Sequence, residues 1–122
     1  MFMLLCVAMG DVHDVEHAYR SRETARVVAA TMQALATPSR VRILSRLAAA
    51  PCSVGELARD IDMEPSAVSQ QLRLLRHLNL VVGERRGRQI IYALHDDHIG
   101  ALMAQAVSHA EHLRVQAHAV GT

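Results

Sequence analysis

From Ser21 onward the apolar positions of the chain fall at helical spacing. Val27, Val28, Met32 and Leu35 predict a helix over 22–35. Thr37-Pro38 restarts the chain, with Thr37 as N-cap and Pro38 at the first helical position. Val41, Ile43, Leu44 and Leu47 give the next helix its stripe, to about Ala49, and Ala50-Pro51 breaks it. Ser53 and Glu56 form an S-x-x-E capping box, which opens a short helix over 54–61 carrying Val54, Leu57, Ala58 and Ile61. Asp62-Met63 makes a tight turn, and Glu64-Pro65 starts a helix over 65–78. Val68, Leu72, Leu75 and Leu78 line one face of that helix; Ser66, Ser69, Gln70, Arg73 and Arg76 line the other. The period then drops to two. LVVGER (80–85) and RQIIYAL (88–94) are strand-like runs joined through Arg86-Gly87, a hairpin signal. A last helix is expected over 97–118, with Asp96 as N-cap. Ahead of all this, residues 10–20 are polar and read as a loose arm or a short helix.

Composition narrows the fold. The 122 residues suit one domain, read as an N-terminal arm over 1–20 and a folded domain over 21–118. Hydrophobic residues make up 51% and aromatics only 2%, so the core is Leu, Val, Ile, Ala and Met, which favours helices over a sheet sandwich. A small helical chain of this kind completes its core readily by dimerising. Cys6 and Cys52 are far apart and lack CxxC spacing, so no disulfide framework is implied. The opening MFMLLCVAM has no basic flank and is far shorter than a membrane span, so the chain is expected in the cytoplasm. Met9-Gly10, where the polar sequence begins, makes an equally good start.

Charge points to a partner. The net charge is +1 and every basic residue is Arg, but Ser66–Tyr92 holds Arg73, Arg76, Arg85, Arg86 and Arg88 against Glu84 alone. Such a surface suits phosphate. A short helix, a tight turn, a second helix with a polar outer face and a basic hairpin describe a winged helix-turn-helix. In that frame Ser66, Ser69, Gln70 and Gln71 offer short polar groups to base edges, and Gln can pair with adenine in two places. Arg73 and Arg76 reach phosphates, while Arg85, Arg86 and Arg88 grip the backbone or a minor groove.

The last helix carries a second chemistry. HDDHIGALMAQAVSHAEH (95–112) holds four of the eight histidines. At about 100° per residue, His98 and His109 return to within about 20° of one face, and His112 falls beside them. A rise of about 1.5 Å per residue separates His98 from His109 by roughly 16 Å, against metal–nitrogen bonds of about 2 Å. One helix cannot close the site; two antiparallel copies can. Asp96 and His98 of one helix would face His109 and His112 of the other, twice in a symmetric dimer. Three imidazoles and a carboxylate are borderline ligands that suit Zn, Co or Ni. No general base stands beside the stripe, so an enzyme is not expected. His77 and His95 are read as non-ligands.

The strings ALATPSRVRIL, SVGELARDIDMEPSAVSQQLRLLRHLNLVVGERRGRQIIYAL and DDHIGALMAQAVSHAEH together resemble the ArsR/SmtB family of metal-sensing repressors, over about Ala29 to His112. The resemblance implies an apo homodimer on operator DNA, released when metal binds its last helix pair, and derepression of an efflux or transport gene. Asp96, His98, His109 and His112 match the family's last-helix motif D-x-H-x10-H-x2-[EH]. Ser66, Ala67, Val68, Ser69, Gln71 and Leu72 match its recognition helix, with Gln70 where many members have His. Ser53-Val54-Gly55 stands where thiolate-using members have C-V-C or C-V-G, so Cys52 has no cysteine partner there and is read as structural. Similarity to the nickel- and cobalt-sensing members, which use more ligands, implies further donors: His118, His13, His17, and the amine of Gly10 if translation starts at Met9 and Met9 is removed. A Zn(II) sensor built on the four-ligand set, and a metal-binding interaction protein without DNA binding, are the alternatives.

Overall fold

The computed structural model describes the backbone of residues 12–121 and the side chains of residues 15–117. Expectations for Gly10 and for the His13 and His118 side chains lie outside this range. Helices α1 (Val12–Arg20), α2 (Arg22–Ala34) and α3 (Pro38–Ala49) lead into strand β1 (Cys52–Ser53). Then come α4 (Val54–Ile61), α5 (Pro65–His77), strands β2 (Val81–Arg86) and β3 (Gln89–Leu94), and the long helix α6 (Asp97–Gly121). The chain divides after Ala36 into two compact units. No described helix is long and apolar enough to cross a membrane.

In the first unit α1 packs on α2. Ser21 Oγ accepts from Thr24 N–H at 3.1 Å and starts α2. The apolar face anticipated on α2 is buried only at its end: Leu35 is buried, whereas Val27, Val28 and Met32 remain exposed.

The second unit is built by local signals acting in sequence. Thr37 Oγ1 caps α3 by accepting from Arg40 N–H at 3.2 Å, with Pro38 in the first turn. Extended Ala50 ends α3. Ser53 and Glu56 make both bonds of the capping box, and the Ser53 N–H, then its hydroxyl, hold the Glu56 carboxyl below the usual range. Asp62, left-handed at φ 54°, ends α4. Pro65 opens α5 three residues later. Asn79, also left-handed at φ 62°, ends α5. Leu78 is therefore a cap residue and stays exposed, not part of the inward stripe. The core collects Ile43, Leu44 and Leu47 from α3, Leu57 and Ile61 from α4, and Val68, Leu72 and Leu75 from α5, closed by Val81, Ile99 and Met103.

The hairpin closes through the two residues Gly87-Arg88, between paired Arg86 and Gln89, with Gly87 at φ +64°. The sheet has a third strand that the sequence does not announce. β1 joins β3 antiparallel, Cys52 opposite Tyr92 and Ser53 opposite Ile91. Cys52 is buried at 2% exposure, and burial pushes its thiol up, so the residue packs and stays protonated.

Candidate nucleic-acid interface and metal donors

The helix-turn-helix comprises α4, the Asp62–Glu64 turn and α5. Because Val68, Leu72 and Leu75 are buried, the opposite side of the α5 wheel faces outward. Ser66, Gln70, Arg73 and Arg76 are exposed there. Ser69 is half-buried and shares a groove of about 380 Å³ with Ser53, Gly55, Arg88 and Tyr92, so one face of α5 and the wing turn border the same space. Gln71 differs from its neighbours. It is half-buried, and its Oε1 accepts from Arg40 Nε on α3 at 3.0 Å. Its carboxamide oxygen is engaged within the fold, and Arg40 is a residue the sequence reading missed. Arg85, Arg86 and Arg88 are all exposed on the wing. Arg86 lies 3.7 Å from Glu84, an exposed pair that contributes little and yields readily to phosphate.

α6 is continuous across the histidine stripe, so the axial separation of His98 and His109 stands at roughly 16 Å. Among the described residues no three His, Cys, Asp or Glu side chains come together around a point that could hold a metal. Asp96 and His98 do come together. Asp96 Oδ1 caps α6, accepting from His98 N–H at 2.9 Å and Ile99 N–H at 3.3 Å. The same oxygen lies 3.5 Å from His98 Nδ1, and the His98 side chain is 97% exposed. One carboxylate and one imidazole thus stand side by side at the start of α6, borderline donors of the kind Zn, Co and Ni take. Asp96 Oδ2 lies 3.2 Å from His95 Nδ1. That contact is the largest influence; against desolvation, and helped by the Ile99 and His98 backbone N–H groups, it holds the Asp96 carboxyl below the usual range. His109 and His112 are exposed one turn apart, His17 is exposed on α1, and His77 is exposed at the end of α5.

The second half of α6 is unsupported in a single chain. Ile99 and Met103 are buried, but Val107, Leu113 and Val115 are exposed, Leu113 at 50%. Apolar residues in solvent beside unpaired imidazoles are what an interface helix leaves when its partner is taken away.

Comparison with known proteins gives these features a context. The model of the arsR family of bacterial regulatory proteins matches residues 37–82. The HTH-type transcriptional regulator NmtR of Mycobacterium tuberculosis is 54% identical over 93 residues, 76% of this chain and 78% of that protein. The solution structure of apo-NmtR superposes with a TM-score of 0.68 at 53% identity, over 75% of this chain and 77% of that one. A transcriptional repressor SmtB homolog from Synechocystis is 37% identical over 86% of this chain and 80% of its own length. The homodimeric winged helix-turn-helix domain Mb0332 of Mycobacterium bovis superposes with a TM-score of 0.67 at 30% identity, covering 76% of this chain and 90% of that one. The two curated relatives are transcriptional regulators, not enzymes.

Proposed function

The chain belongs to the ArsR/SmtB family of metal-sensing transcriptional repressors, and from that premise we propose that it is a cytoplasmic homodimer that leaves its operator on binding Ni(II) or Co(II). The observation that carries the reading is the division of α6. Asp96 and His98 are adjacent at its start, while His109 and His112 lie on the same stripe roughly 16 Å away. Antiparallel apposition of two copies brings each early pair onto the other's late pair. The exposed Val107, Leu113 and Val115 supply the apolar area that such an apposition buries.

On the DNA side, Ser66, Ser69, Gln70 and Gln71 face base edges and Arg73 and Arg76 the phosphates, with Arg85, Arg86 and Arg88 on the flanking backbone or minor groove. Gln71 in this role acts through its amide N–H₂, since its oxygen is held by Arg40. Completing the inter-chain sites fixes the angle between the two α6 helices and so the spacing of the two α5 helices. Half-sites lie about one DNA turn apart, so altered spacing loses contacts. The product is derepression of a metal efflux or transport gene.

Nickel and cobalt take more donors than four, drawn from His118, His13, His17 and the Gly10 amine of a chain starting at Met9. A second reading is Zn(II) on the four-residue set, which needs no donor beyond α6 and its partner copy, since Asp96 and His98 already stand side by side. Absorption of the Co(II)-loaded protein separates the two. Weak ligand-field bands mean five or six ligands and support nickel/cobalt sensing; intense bands in the red mean a tetrahedral site and support zinc. A gel-shift titration in which none of the three metals changes operator affinity contradicts both.

A further inference from the structure

The functional reading of α6 leaves His95 unused, yet this residue touches both halves of the problem. Its ring Nδ1 lies 3.2 Å from Asp96 Oδ2. Its backbone N–H donates to Leu80 O at 2.9 Å, and Leu80 N–H donates to Leu75 O, inside the recognition helix, also at 2.9 Å. Between Leu75 and Leu80 the chain turns through left-handed Asn79. Leu80 and Val81 are buried, and Val81 pairs with Leu94. The residue that ends β3 and precedes α6 is thus tied by its ring to a proposed metal donor and by its backbone to the exit of α5.

We propose that His95 is a positioning residue that couples occupancy of the metal set to the recognition helix. This rests on the reading of Asp96 and His98 as donors. Asp96 Oδ1 is committed to two backbone N–H groups, so rotating the carboxylate breaks the helix cap. Oδ2 is the oxygen with capacity to spare, and His95 Nδ1 lies within reach of it and donates to it in the tautomer protonated at Nδ1. Engaging Oδ2 on a cation weakens or redirects the His95 hydrogen bond. Releasing that contact changes how the β3–α6 junction is held, and the bond from His95 N–H to Leu80 O joins that junction to buried Leu80 and so to the exit of α5.

The test uses the full-length dimer, Co(II) as the metal, and a duplex selected from a random-sequence pool by the metal-free protein. His95 is 44% exposed, so its replacement spares the core. Wild type should lose DNA affinity on cobalt binding by a factor on the order of 5 to 150. His95→Leu should keep one cobalt per chain, the same absorption bands and the same metal-free DNA affinity, while that factor falls to about 2 or less. His95→Asn places a side-chain N–H where Nδ1 stood and should retain the factor to within about threefold. An undiminished factor in His95→Leu overturns the proposal. So does an altered cobalt spectrum in that variant, which makes His95 a ligand, or an Asn variant that behaves like Leu. Failure of the underlying reading looks different: Asp96→Ala and His98→Ala would then bind cobalt as wild type does.

Discussion

The helix-turn-helix with its wing and the histidine helix differ in where their information lies. α4, its turn and α5 are each started and stopped by a residue within a few positions: the Ser53–Glu56 box, left-handed Asp62, Pro65, left-handed Asn79. Their side chains close a core inside one chain. α6 has an N-cap and two buried residues, Ile99 and Met103, and its described residues after Met103 face solvent. In the proposed reading its chemistry is stated in one chain and completed only by two. A reader of DNA can be specified locally, whereas a sensor that must change the relation between two readers is naturally split across their interface.

The largest expected effect breaks the first region alone. Leu72→Ala removes a fully buried side chain of α5 and should destabilise the fold by about 3 kcal/mol, measured by urea unfolding of the metal-free protein. His109→Ala breaks the second region alone. It should lower cobalt affinity at least about 100-fold, since losing an outer-shell partner by itself costs about 10–100-fold, with little change in the urea midpoint because the residue is exposed. Ser53→Ala sharpens the idea of local specification and should cost about 1 kcal/mol. Its partner Glu56 has a folded pKa below its unfolded one. The contribution of Glu56 is therefore present above the unfolded value and lost as pH falls through the lowered folded value. Wild type and Glu56→Gln should differ in stability at neutral pH and converge in acid. Arg86→Ala should have the mildest effect, a uniform loss of DNA affinity across sequences with the salt slope reduced by about 1, measured by anisotropy at several salt concentrations.

The same contrast explains what the sequence made legible. Helix 54–61 and the start of α5 were readable because their signals are contiguous. The 16 Å problem on α6 was readable because helical periodicity is fixed. β1 was not, since two residues carry no period and their pairing with Ile91 and Tyr92 is about forty positions away. The Gln71–Arg40 bond spans 31 positions, so Gln71 looked like any other polar residue on the outer face of α5. The role proposed for His95 rests in part on a backbone bond to Leu80, which no side-chain pattern records. The exposed stripe of Val27, Val28 and Met32 has the periodicity of a core face, and period alone does not tell core from interface.

The central claim is that each metal set is shared between two chains, and it can be tested by complementation. His98→Ala and His109→Ala homodimers should each lack an intact set. In a mixed dimer, the intact early pair of one chain meets the intact late pair of the other, and one complete set is restored. Unfolding and refolding the two variants together at equal concentration should therefore recover tight cobalt binding at about one quarter of the wild-type stoichiometry, the fraction set by random pairing. No recovery on mixing, with wild type refolded the same way binding cobalt fully, would contradict a shared site.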